Sequence, residues 1–215
     1  MLPLLLACAS KPDTAPVSAG QEVWVLLVWT DDEPDIDAGW LVSFSVELLA
    51  CQEEATFSLM PTAHAGHGLS DGEALRQLRA PRAESLTDRT QSQFGHLMPA
   101  EGEYCELFYL VSFTTGVYDN RGLPDNLDML NGKMSLFVQQ DDRSFTATSG
   151  YGVKRTIVDD DGHPAPLTIH KGDNSALLRL IRDASVINSI LTDTEADATN
   201  LLAALAESTV VVREH

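Results

Sequence analysis

The residues best suited to chemistry are two imidazoles that lie three positions apart, His64 and His67. They stand among alanine and glycine, so both side chains can reach one ion with little steric hindrance. Met60 lies close by, and His96 and Met98 form a second histidine–methionine pair. Imidazole with thioether sulfur is a donor set that copper prefers. These five residues therefore predict a transition-metal site, most favourably for copper. The alternative is an ordinary polar loop with the methionines filling core space.

Carboxylates form two dense clusters, at residues 31–37 and 159–161. Oxygen ligands at this density can bind Ca²⁺, so calcium is the weaker alternative to copper. Neither cluster has the spacing of the twelve-residue EF-hand loop. The competing interpretation is two solvated acidic loops.

Charge and missing motifs exclude two classes of function. The 215 residues contain 32 Asp and Glu against 14 Lys and Arg, a formal net charge of −18. A surface this acidic repels phosphate, which excludes a nucleic-acid partner. The sequence also lacks a G-x-S-x-G elbow, a phosphate-binding glycine loop and an H-E-x-x-H motif. We therefore predict that the protein is not an enzyme.

The sequence of the amino terminus predicts that the protein is localised in the bacterial envelope. Residues 5–8, Leu-Leu-Ala-Cys, resemble the lipobox of bacterial lipoproteins. That resemblance implies a truncated signal over 1–8 and acylation of Cys8, with Ala9 favouring the outer membrane. Residues 9–21 are rich in small residues and proline, which is typical of a flexible tether. The alternative is a short apolar terminus that happens to contain cysteine.

The remaining chain, 22–215, predicts one acidic β-domain. Apolar residues alternate with polar ones along several segments, the pattern of half-buried strands. Strands are expected over 23–29, 41–49, 104–113, 134–138, 145–157 (two strands), 167–170 and 209–213. Helical spacing favours short helices over 72–79, 183–191 and 194–206. The predicted fold is an antiparallel β-sandwich, Greek-key or immunoglobulin-like, with one or two short carboxy-terminal helices.

The cysteine count supports an extracytoplasmic domain. With Cys8 lipidated, Cys51 and Cys105 remain as an even pair. In a secreted context they are expected to form one disulfide. The alternative is two buried free thiols.

Residues 40–140 loosely resemble the MbnP-like periplasmic copper-binding proteins. The similarity lies in the order of Cys51, a histidine-containing loop and the segment 102–107 that opens a strand. The segments 123–127 and 129–132 follow, and they are similar to the family's loop and small apolar strand. It implies copper bound through His64 and His67, and a redox or envelope protein as partner. We therefore predict a membrane-anchored lipoprotein, periplasmic or surface-facing, that handles or delivers a transition metal. The alternative function is an envelope lipoprotein that binds a protein or glycan without metal.

Overall fold

The computed structural model describes residues 21–30, 33–51, 76–88, 91–114, 129, 133–193 and 197–214. This part of the chain is mainly β, as the sequence predicts. Its strands are β1 (Val23–Trp29), β2 (Ala38–Ala50), β3 (Gln77–Ser85), β4 (Ser92–Leu97), β5 (Gly102–Val111), β6 (Leu136–Gln140), β7 (Arg143–Ala147), β8 (Tyr151–Val158), β9 (Leu167–Ile169), β10 (Ala176–Arg182) and β11 (Val210–Glu214). Two short helices, α1 (Val186–Leu191) and α2 (Ala198–Glu207), precede the last strand.

The strands form one continuous mixed sheet that curls into a half-barrel. Its main path runs β4-β1-β10-β11-β8-β5-β2-β6-β7, with β3 paired to β2 and β9 paired to β5. The mainly-β class and the helices near the carboxy terminus are confirmed. The sheet differs from the expected antiparallel sandwich because β1 pairs with β10, and β8 with β11, in parallel. An alternating pattern reports which face of a strand is buried, and it carries no information about the direction of the neighbour.

Strand β2 directs the curl of the sheet. It pairs with β3 along one edge. Along the other edge its first residues, 38–41, pair with β6, and residues 43–50 pair with β5. The backbone of Val42 marks the change of partner, since its amide donates to Ser135 and its carbonyl accepts from Ser112. The β6–β7 hairpin and β5 therefore share one edge of β2, each along a different part of its length.

The core lies on the concave side of the sheet. Alternate residues of β2 and β5 are fully buried there, including Leu48, Leu107 and Val111. Helix α2 adds buried leucines to the same cluster, among them Leu201 and Leu205. Its amino terminus is capped by the Asp197 side chain, which accepts from the amide of Asn200 at 2.8 Å.

The predicted helix over 72–79 is wrong at its carboxy-terminal end. Arg76 is helical, residues 77–79 belong to β3, and residues 72–75 lie outside the described residues. Pairing with β2 satisfies the backbone of residues 77–79. Leu78, which the helical spacing places inward, pairs instead with Val46 of β2.

The predicted disulfide is confirmed. Cys51, directly after β2, is bonded to Cys105 of β5 with a Cα–Cα distance of 4.8 Å. The register of the two strands brings the cysteines together, because Ala50 pairs with Tyr104 and the Cys51 amide donates to Glu103. Among the described residues, no helix has the length and apolar character needed to cross a membrane.

Candidate functional site

Two features of the described residues are candidate functional sites, and the first is the turn that follows β8. Asp159 Oδ1 accepts the backbone amides of Asp161 at 3.0 Å and of His163 at 2.9 Å. Gly162 adopts the positive φ of 82° that this turn requires, a conformation that glycine adopts without a steric penalty. One ligand atom from each of Asp159, Asp161 and His163 lies within 4.8 Å of the others. Within the described part of the chain, this is the one place where three His, Cys, Asp or Glu side chains converge in this way.

Contacts with neighbouring strands hold the turn in place. Val158 and Pro164 form a β-bridge at its base. Arg179 of β10 donates to Asp160 at 2.6 Å and forms an ion pair with Glu214 of β11 at 2.7 Å. Asp160 is thus engaged with Arg179, while the carboxylates on either side of it share a site with the imidazole.

The donor set of this turn is two carboxylates and one imidazole. Such oxygen and nitrogen ligands suit divalent ions such as Cu²⁺, Zn²⁺ or Ni²⁺, and they lack the sulfur that favours Cu⁺. His163 is 77% exposed, so coordination positions facing solvent would stay open to water or a second ligand. The same hydrogen bonds also give Asp159 a role in stabilising the turn without any ion.

The predicted copper ligands are distributed differently. His64, His67 and Met60 lie outside the described residues, and so does Cys8. His96 lies on β4, where its ring packs against Trp24 with a centroid distance of 5.1 Å. Its Nε2 is 3.8 Å from a carboxylate oxygen of Glu22.

Met98 follows β4 and is half-buried. The acidic cluster at 31–37 has a structural role in its described part. There, the Asp37 carboxylate accepts the amide of Asp141, and the Asp35 amide donates to Asn188 of α1.

The second feature is a buried charge cluster inside the half-barrel. The Arg182 guanidinium is fully buried and donates to both carboxylate oxygens of Glu84, at 2.9 and 2.5 Å. It also donates to Ser43 and Tyr109, each at 3.3 Å, and lies 4.0 Å from the centre of the Trp29 ring. Ser43 hydrogen-bonds to both Glu84 and Tyr109. The cluster therefore connects side chains of five strands in the interior, namely β1, β2, β3, β5 and β10.

Electrostatics in this cluster follow from burial and pairing. Burial raises the pKa of Tyr109, and the nearby Arg182 charge offsets part of that rise. Burial alone lowers the pKa of Arg182, but the Glu84 carboxylate and Tyr109 together raise it above its ordinary value. Arg182 therefore stays charged, and its charge is balanced by Glu84.

A polar cleft opens above the same glutamate. It has a volume of about 660 Å³ and lies between the end of β1, the end of β3 and the start of β4. The larger side chains that line it are Trp29, Arg82, Glu84, Asp88, Gln91 and Gln93.

The sequence pattern did not predict a functional role for His163, Arg182 or Glu84. His163 was detectable, since it follows the Asp159–Asp161 cluster by two positions and adds the nitrogen donor. Arg182 could also have been recognised from the sequence, because it occupies the next inward-facing position of β10 after Leu178 and Leu180. Glu84 gave no comparable signal, because its partner lies 98 residues away.

No protein-family model, curated protein or solved structure matches this chain. The similarities to lipoproteins and to MbnP-like proteins therefore stay predictions.

Proposed function

We propose that this protein is a lipid-anchored lipoprotein of the bacterial envelope whose β-domain binds a divalent transition metal for handling or delivery. The observation that carries the proposal is the convergence of Asp159, Asp161 and His163 on one anchored turn. The negative charge of the chain, −18, adds a long-range attraction for cations.

We infer that the favoured ion is copper in its divalent state. For a given set of oxygen and nitrogen donors, Cu²⁺ binds more tightly than the other divalent first-row ions. Calcium is the weaker alternative, because it prefers oxygen ligands alone. The sequence-predicted set of His64, His67, His96, Met60 and Met98 remains a separate candidate that would favour Cu⁺ through its sulfur atoms.

Metal titration of the full chain carrying Cys8→Ser tests the proposal. Isothermal titration with Cu²⁺, Zn²⁺ and Ca²⁺ should show one Cu²⁺ per chain, and the His163→Ala variant should bind it at least about tenfold more weakly. His170→Ala is the matched control, since His170 is another exposed histidine of the same region. A His64→Ala/His67→Ala variant distinguishes the two candidate sites. Loss of binding only in that variant would show that the turn is not the metal site. If no ion binds at all, the metal function is refuted and the protein- or glycan-binding alternative is favoured.

The proposed localisation in the envelope is supported by Cys8 and by the disulfide. A disulfide between Cys51 and Cys105 fits an oxidising compartment such as the periplasm or the cell surface. Two or three fatty chains on Cys8 would give a stable outer-membrane anchor, where one chain would be marginal. Metabolic labelling with a fatty-acid analogue should tag the wild-type precursor and not the Cys8→Ser variant. Label on the variant would contradict the anchor.

A further inference from the structure

Strand β7 lies at one end of the sheet, and its outer edge has no strand partner among the described residues. In an antiparallel pair, alternate residues direct their N–H and C=O groups towards the partner strand. The Ala147 carbonyl accepts from the Ser135 amide, so Ala147 belongs to the set that faces the β6 side. Ser144 and Thr146 belong to the other set, and their backbone groups point away from the sheet. Both residues are exposed.

Strands β3, β4 and β9 also lie at edges of the described sheet, and each has a feature that hinders further pairing. Strand β3 contains Pro81, and Pro166 directly precedes β9. Strand β4 has a shift of register where it pairs with β1. Prolines and bulges are common protections of sheet edges. Strand β7 has neither, and its charged residue, Arg143, donates to the Leu191 carbonyl at 3.1 Å. The outer edge of β7 is therefore open to another strand.

A pocket of about 470 Å³ lies beside this edge. The strand residues that line it, Phe137, Gln139 and Ser144, alternate with buried ones, so the pocket opens on the face away from the core. The turn between β6 and β7 contributes Asp141 and Asp142, which are both exposed. This half-buried aromatic ring beside two carboxylates suits a lysine or arginine side chain, because the methylenes can cover the ring while the cation meets the carboxylates.

The charge around the pocket favours a cationic ligand. The Asp37 carboxylate accepts the Asp141 amide at 2.7 Å, and Gln140 donates to the backbone carbonyl of Asp35 at 2.8 Å. A second acidic segment therefore lies against the turn, and Arg143 offsets only part of this negative charge. The net charge of the chain, −18, adds a longer-range attraction for cations and repels anions.

We propose that the outer edge of β7 binds an extended cationic segment of a protein partner as an additional strand. The backbones of Ser144 and Thr146 supply two N–H donors and two C=O acceptors. A partner residue opposite Ser144 directs its side chain to the same face of the sheet, which places a lysine or arginine beside the pocket. In this mode of recognition, main-chain hydrogen bonds give affinity and the pocket gives specificity. The edge and the metal-ligating turn lie on different strands, so this proposal does not depend on the proposed metal function.

Fluorescence anisotropy with the full chain carrying Cys8→Ser tests the proposal, with a labelled hexapeptide of alternating lysine and valine as the probe. The peptide should bind, and Thr146→Pro should weaken binding at least about tenfold, because proline removes a donor and its ring obstructs the edge. The Thr146 amide points away from β6, so this substitution removes no hydrogen bond of the sheet. Thr146→Ala is the matched control, since it keeps the amide, and it should bind within about twofold of the parent chain.

A second comparison changes the peptide and leaves the protein as it is, so it does not depend on the folding of a variant. The same hexapeptide N-methylated throughout keeps its charge but has no backbone donors, and it should not bind. A hexapeptide of alternating glutamate and valine should bind at least about tenfold more weakly than the lysine peptide. The affinity for the lysine peptide should also fall as the salt concentration rises.

Four outcomes would overturn the proposal. The first is the absence of binding by the lysine peptide. The second is an equal loss of affinity in Thr146→Ala and Thr146→Pro. The third is equal binding of the glutamate peptide or of the N-methylated peptide. The fourth is a dimer in sedimentation that Thr146→Pro converts to a monomer, which would identify a second copy of this chain as the occupant of the edge.

Discussion

Replacing Arg182 with methionine tests whether the buried ion pair holds the half-barrel together. Methionine keeps an unbranched side chain but removes the cation from a position with no exposed surface. The Glu84 carboxylate, 8% exposed, would lose two hydrogen bonds of 2.9 and 2.5 Å. Trp29 would lose the guanidinium that packs on its ring. The change therefore leaves the Glu84 carboxylate buried without its cationic partner.

The expected cost is large because the remaining charge has no substitute partner of opposite sign in the cluster. Removing one partner of a buried pair costs about 3–5 kcal/mol, which includes the penalty of leaving the other charge unpaired. Single domains are stable by about 5–15 kcal/mol, so this one change would remove a substantial part of the free energy of unfolding.

A double variant separates the cost of the unpaired Glu84 charge from the cost of the lost Arg182 packing. In Glu84→Leu/Arg182→Met the charge is absent, and Ser43 and Tyr109, whose hydroxyls are 2.6 Å apart in the wild type, can still hydrogen-bond to each other. Replacing a whole buried pair by apolar residues is often close to neutral. We therefore expect the double variant to recover at least about 2 kcal/mol relative to Arg182→Met alone.

Urea unfolding followed by tryptophan fluorescence measures these differences, and Arg179→Met is the matched control. Arg179 lies on the same strand, but its partners Asp160 and Glu214 are solvent-exposed. Exposed pairs contribute about 0–1 kcal/mol, so the control should lose little. Equal losses for Arg179→Met and Arg182→Met, or a double variant less stable than Arg182→Met, would refute the reasoning.

Two further predictions concern the disulfide and the pH dependence. Replacing both Cys51 and Cys105 with alanine should lower the free energy of unfolding by about 4 kcal/mol, because the bond closes a span of 54 residues in the unfolded chain. A loss below about 1 kcal/mol in urea unfolding would contradict that prediction. The raised pKa of Tyr109 means that the folded state holds this proton more tightly than the unfolded state does. Its contribution is complete below the unfolded pKa of about 10 and is lost as the pH rises through the higher folded pKa. The stability difference between wild type and Tyr109→Phe should therefore shrink by about 1.4 kcal/mol per pH unit just above pH 10. A constant difference from pH 8 to about 11 would show that the phenol does not titrate with unfolding.

Local pattern accounts for the parts of the structure that the sequence determined by itself. Residues 23–29 form an unbroken run of apolar, β-branched and aromatic residues, so β1 was predicted over the residues it occupies. Apolar spacing predicted a helix over 194–206, and α2 occupies Ala198–Glu207. The disulfide followed from an even cysteine count. Each of these depends on neighbours in sequence or on simple chemistry, so each is readable without knowledge of the fold.

Tertiary structure decided the strand directions, the buried ion pair and the cleft above it. The parallel pairing of β1 with β10 joins strands some 150 residues apart, and its direction depends on how the chain returns to the sheet. Glu84 and Arg182 meet across 98 residues, and the cleft above them forms only once β1, β3 and β4 are assembled. Burial pattern specifies which side of a strand faces inward. It does not specify which distant charge will be found there, because that depends on the packing of the whole sheet.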